Sequence, residues 1–101
     1  MDSFAALADP TRRALLATLA QGEQPFGALA GSFSISRPAV SQHLKILRRS
    51  GLVAVRRQAQ QRIYRLAPDG LDEVDQWLTS VRSFWSARLD ALERALQEDK
   101  V

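Results

Sequence analysis

The chain has 101 residues, 46% of them apolar and 25% charged, a balance that suits one folded domain and fits neither two domains nor a disordered chain. It has no cysteine, which excludes disulfides and thiolate chemistry, and no apolar run approaches the roughly 20 residues of a membrane span. The net charge of +3 is segregated: eight basic residues and no acidic ones lie between Gln24 and Pro68, a middle segment suited to a polyanion.

Met1-Asp2-Ser3-Phe4 lacks the basic and apolar start of a secretion signal, so a cytoplasmic location without membrane association is expected. Phe4 to Ala8 reads as a short apolar helix closed by Asp9-Pro10. Asp9 is an N-cap and Pro10 the first residue of a buried helix to Ala20, with Leu15, Leu16 and Leu19 at helical spacing. Thr11, Arg12 and Arg13 fall in its first turn, where an arginine can reach a phosphate but solvation is the expected role. Gln21 to Pro25 breaks the helix. Phe26 to Ala30 forms two further turns, and Gly31 to Ile35 carries the chain to Ser36.

Ser36 to Arg49 is the stretch around which the chain is organised. Ser36 is the expected cap, Pro38 occupies the first turn, and Ser50-Gly51 supplies the stop, with Leu52 folding back on the last turn. At about 100° per residue, Val40, Leu44 and Leu47 share one arc. Arg37, Pro38, Ser41, Gln42, Lys45, Arg48 and Arg49 share the opposite one. Such a face can address DNA: Arg and Lys donate to guanine, Gln pairs with adenine, and Ser serves base or phosphate. A basic helix face is more often merely solvated, so the neighbouring elements decide the reading.

Two alternating runs follow, Leu52 to Arg57 and Arg62 to Leu66, with a polar tip from Gln58 to Gln61, and together they predict a β-hairpin. Arg56, Arg57, Gln60 and Arg62 on or beside the tip suit a wing lying against a phosphate or the minor groove. Charged edges also keep strands from pairing with other chains. Ala67 to Gly70 ends the hairpin, and a long helix is predicted from about Leu71 to Gln97. Its apolar stripe, Leu71, Val74, Leu78, Val81, Trp85, Leu89, Leu92 and Leu96, is widened by Trp77 and Phe84. A helix of roughly 26 residues spans about 39 Å, more than one small domain can cover. A subunit interface including Phe4, Leu7, Trp77, Val81, Phe84, Trp85, Leu89 and Leu92 is therefore expected.

Leu7-Ala-Asp-Pro-Thr-Arg-Arg, Pro38-Ala-Val-Ser-Gln-His-Leu-Lys-Ile-Leu, Ser50-Gly-Leu-Val and Arg62-Ile-Tyr-Arg-Leu, in this order, resemble bacterial winged helix-turn-helix regulators of the ArsR/SmtB type. The resemblance covers nearly the whole chain. It implies a mainly α fold with a small β-hairpin: one domain over 1–101, with a DNA-binding core at 10–66 and dimerisation helices at 1–8 and 69–98. It further implies a homodimeric repressor that binds double-stranded DNA; two-fold symmetry would set the two recognition helices about one helical turn apart, on an inverted-repeat operator. Base contacts would fall on Arg37, Pro38, Ser41 and Gln42, and phosphate contacts on Lys45, Arg48 and the wing. The chain departs from the metal-sensing members: Phe26 to Ala30 has no cysteine and the last helix no histidine, so neither metal nor cofactor is expected. The sole histidine, His43, is expected to pack or bond locally, or to touch a phosphate, rather than to bind metal. The wing tip also lacks the glycine common in the family.

Two other classes of function fit the sequence less well. An enzyme needs a poised base or nucleophile; His43 has no carboxylate near it in sequence, and Ser41, two residues away on a helix, points elsewhere. A winged-helix protein-interaction module without DNA binding has no need of the acid-free stretch from Gln24 to Pro68.

Overall fold

A computed structural model describes residues 2–99; the ends of the expected domain, Met1, Lys100 and Val101, lie outside the described residues. Five helices and three strands follow in the order α1 (Ser3–Ala6), α2 (Pro10–Ala20), β1 (Gln24–Pro25), α3 (Phe26–Gly31), α4 (Arg37–Arg49), β2 (Val53–Gln58), β3 (Gln61–Leu66) and α5 (Pro68–Glu98). The helix starts are chemically marked. Asp9 accepts from the backbone N–H groups of Thr11 (2.8 Å) and Arg12 (3.1 Å), which satisfies two donors that have no helical partner. These bonds, that from Arg12 foremost, hold its carboxyl below the ordinary carboxylate value. Ser36 receives the Ala39 N–H at the start of α4 (3.3 Å).

The end of α4 is a Schellman motif. Ser50 is the cap and Gly51 takes φ +76°. Leu52 N donates to Leu47 O (3.0 Å) and Gly51 N to Arg48 O (3.1 Å). Leu52 and Leu47 are both fully buried, completing the apolar contact that accompanies this ending. They belong to a core built from Leu15, Leu16 and Leu19 of α2, Leu29 of α3, Val40, Leu44 and Leu47 of α4, and Val53 and Tyr64 of the sheet. Each buried Leu or Val contributes about 1.5–3 kcal/mol.

The hairpin forms with a tighter tip than expected. Gln58 pairs with Gln61, so only Ala59 and Gln60 turn the chain. Ala59 sits at φ +56°, a left-handed conformation that costs a residue with a Cβ on the order of 1 kcal/mol. A third strand, β1, also forms, in the segment read only as a helix break. It pairs Gln24 with Tyr64 and Pro25 with Ile63, making β3 the centre of the sheet, in the order β1-β3-β2. Flanked on both edges, β3 buries adjacent residues of opposite faces, Ile63 and Tyr64.

The last helix begins at Pro68, within the stretch expected to be a turn. The extended Ala67 precedes it, and Pro68 takes the first helical position, where a missing N–H leaves no bond unmade. Gly70 N donates to Gly51 O (2.9 Å). A Cβ on Gly70 would stand 2.8 Å from the backbone of Gly51 and Ser50, so the helix can seat here only on a glycine. Ser3 of α1, itself buried, donates to Ser50 O (3.3 Å) and Glu73 Oε2 (3.1 Å), tying the first helix to the same joint. From it the 31 residues of α5 run about 46 Å, and the molecule measures 71 × 26 × 23 Å. No helix among the described residues is long and apolar enough to cross a membrane.

Candidate nucleic-acid interface

On α4 the two faces separate cleanly. Val40, Leu44 and Leu47 are fully buried, while Arg37, Pro38, Ser41, Gln42, Lys45, Arg48 and Arg49 are exposed. The wing residues Arg56, Arg57, Gln60 and Arg62 are exposed as well. The hairpin stands beside α4, and two clefts run between them. The larger, of about 460 Å³, is lined by Phe26, Arg37, Ser41, Gln60, Arg62 and Tyr64 among others. The smaller, of about 260 Å³, is lined by Arg48, Val55, Arg56, Arg57 and Arg62. Lys45 joins Arg48 and Arg62 around a third hollow between them.

Four guanidinium groups around one small cleft repel one another, and an anion seated there relieves that repulsion. Among the described residues only one ion pair forms, between Arg56 and Glu23. Arg56 donates from Nη1 to Glu23 Oε2 and from Nη2 to Oε1 (2.7 Å), and Nη2 also reaches Gln58 Oε1 (3.2 Å). This pairing, in which Arg56 donates and Glu23 accepts, holds the Glu23 carboxyl below its ordinary value and raises the Arg56 guanidinium above its own. Lys45, Arg48, Arg57 and Arg62 have no such partner.

Arg37, at the start of α4, is held rather than free. Its guanidinium lies over the Phe26 ring, 5.6 Å from the centroid. Phe26 in turn packs against Tyr64 with centroids 6.3 Å apart. Beside it, a Cβ on Gly27 would stand 3.4 Å from Arg37 Nη2. Sequence reading missed Phe26 and Glu23. Phe26 is 11 positions and Glu23 33 positions from the arginine each engages, and no local spacing signals such pairings.

Of the α2 arginines, Arg13 is exposed and Arg12 half-buried, and both also bond to the chain before them: Arg12 donates from Nε to Ala6 O (2.7 Å), and Arg13 from Nη1 to Leu7 O (2.7 Å). These bonds satisfy carbonyls that the short α1 leaves open. Arg12 Nη1 also lies 3.5 Å from His43 Nδ1, so the histidine of α4 faces an arginine of α2.

The apolar residues of the first and last helices form a separate surface. Phe4 and Trp77 meet edge to face at 5.6 Å. Phe84, Trp85, Leu89, Leu92 and Leu96 are all more than half exposed, with Arg88 over the Phe84 ring at 4.7 Å. Leu7 and Val81 are partly buried, Leu7 against the core.

The profile of the family described as "Bacterial regulatory protein, arsR family" matches residues 9–55. The HTH-type transcriptional regulator Rv2034 of Mycobacterium tuberculosis is 39% identical over 97 residues, covering 96% of this chain and 88% of that protein. The transcriptional repressor SdpR of Bacillus subtilis is 36% identical over 75 residues, 74% of this chain and 83% of its own length. Among solved structures, one described as a possible transcriptional regulator for arsenical resistance superposes with a TM-score of 0.74 at 42% identity, covering 80% of this chain and 84% of that one.

Proposed function

This chain belongs to the bacterial arsR family of regulatory proteins, and from that premise we propose how its surfaces divide the work. It is a DNA-binding transcriptional regulator of the repressor type, not an enzyme. The α4 helix enters the major groove. Arg37, Pro38, Ser41 and Gln42 meet base edges, and Lys45 and Arg48, with Arg57, Gln60 and Arg62 of the wing, bind phosphates. The observation that carries this reading is the line of exposed cations Lys45, Arg48, Arg57 and Arg62 on α4 and the wing, none of them paired with a carboxylate among the described residues, beside the buried apolar face of α4, Val40, Leu44 and Leu47.

The exposed stripe of α5, with Phe4 and Leu7, pairs with a second copy across a two-fold axis. Trp77, Val81, Phe84, Trp85, Leu89 and Leu92 lie on that surface. Successive members of the stripe from Leu71 to Leu96 average close to 3.6 residues, the natural helical period, so the surface runs straight along α5 and suits a partner helix without supercoiling. Two symmetry-related α4 helices then reach major-groove faces roughly 34–36 Å apart, on an inverted-repeat operator.

The test is binding to the DNA upstream of the chain's own coding region, compared with random duplex. Arg37→Ala should cost about 1–3 kcal/mol on the operator and relax preference at one base pair. Equal losses on operator and random DNA would remove Arg37 from the base-reading set. A solution mass near the 11.2 kDa of one chain, with a footprint over one half-site, would overturn the dimer and the inverted repeat together.

A further inference from the structure

The bridge between Glu23 and Arg56 spans the sheet. Pro25 on β1 and Arg56 on β2 both stand opposite Ile63 of β3, and residues directly opposite share a face. Glu23, two residues before Pro25, reaches across β3 on that face to close a two-bond contact with Arg56. Ile63 lies between Pro25 and Arg56 and is only 7% exposed, although it stands outside the main core. Both ends of the bridge remain in water, with 46% of the Glu23 side chain and 42% of that of Arg56 exposed. Arg56 nevertheless lines the same small cleft as Arg48, Arg57 and Arg62. It is the one guanidinium there that a carboxylate already holds.

We propose that Glu23 is a specificity-determining residue: its carboxylate occupies Arg56 in place of a DNA phosphate, so that the wing neutralises one phosphate fewer. The sequence expectation placed Arg56 among the DNA contacts, whereas its partner keeps it from that role. The inference rests on the proposed reading of the wing as a DNA-contacting element. A carboxylate and a phosphate both take the paired donors of a guanidinium, so Arg56 serves one or the other. The Glu23 charge beside the cleft also opposes any phosphate drawn toward it. Phosphate contacts strengthen binding to every sequence alike, whereas base contacts discriminate. Withholding one cation from the backbone therefore lowers affinity for random DNA and leaves base reading to α4.

The experiment measures affinity of the full chain for a fluorescein-labelled duplex of random sequence across a sodium chloride series, for wild type, Glu23→Gln, Arg56→Gln and the double variant. Glu23→Gln is expected to tighten binding several-fold at low salt and to steepen the slope of log K against log salt by about 0.9, the increment of one added phosphate contact. Arg56→Gln should leave the slope as it was, and in its background Glu23→Gln should have no effect on the slope. An unchanged or shallower slope for Glu23→Gln overturns the inference, as does a slope made shallower by about 0.9 in Arg56→Gln alone, which would mean that Arg56 already holds phosphate. Arg57→Gln and Arg62→Gln separate the two levels of the reading. If each flattens the slope while Glu23→Gln changes nothing, only this inference falls. If neither flattens it, the DNA-contacting wing falls and the inference with it.

Discussion

Both α4 and α5 are amphipathic helices, and the structure treats their apolar sides in opposite ways. Val40, Leu44 and Leu47 of α4 are fully enclosed, so its cationic face is presented by a finished scaffold. The stripe of α5 is left in water, with Leu89 61% exposed. The same periodicity therefore carries two meanings, and the distinction lies in what the rest of the chain can reach. The helices α1 and α2 and the strand β2 pack against α4. Only the first turns of α5 meet the body, through α1 and the Gly51–Gly70 joint.

The sharpest way to break this comparison is to make one chemical change on each helix. Leu47→Ala should lower unfolding free energy by about 2–5 kcal/mol at any protein concentration, because it opens a cavity in an enclosed site. Leu89→Ala should leave the intrinsic stability of a dilute chain within about 0.5 kcal/mol, and should instead weaken the rise of the urea midpoint with protein concentration. Equal losses at all concentrations would show that α5 is covered by its own chain.

A second, smaller effect tests the joint between the two helices. Alanine is ordinarily favoured over glycine inside a helix by about 1 kcal/mol. Gly70→Ala should reverse that sign and destabilise by about 1–3 kcal/mol through the clash with Ser50 and Gly51. A stabilised variant would mean that the close approach is not kept in solution. The smallest effect probes how far the face of α4 is organised by its own chain. Phe26→Leu removes the ring beneath Arg37, an exposed contact worth about 0.5–1 kcal/mol. Operator affinity should fall two- to five-fold with little change on random DNA, and a uniform loss on both would assign Phe26 to phosphate binding or to folding.

What could be read from the sequence follows the range of the interactions. The caps at Asp9 and Ser36 and the stop at Gly51 depend on residues within a few positions of one another, and each appears as expected. The two faces of α4 follow from its period alone. The β1 strand escaped because two residues carry no alternation, and it exists only through its pairing with β3. Ala67 to Gly70 was misread because proline and glycine mark both a turn and a helix start. Only the distant Gly51 explains why a glycine is needed inside α5. At the interface the exposed cations were legible one by one, but their division into held and free was not. That division depends on Glu23, which lies just outside the acid-free stretch in sequence and against it in space.

The contact at Gly70 also has a mechanical consequence. With no side chain between them, the backbone of α5 touches the turn that ends α4, so there is no soft layer to absorb a tilt. Such a seat works as a fulcrum, and α5 from Gly70 to Glu98 is a lever about 42 Å long. A rotation of about 1° at the fulcrum carries its far end roughly 0.7 Å. Read the other way, displacements of ångström size imposed on the tip of α5 reach the end of α4 as rotations of only a degree or so, and the aim of the cationic face is geared down against disturbance from the distal end.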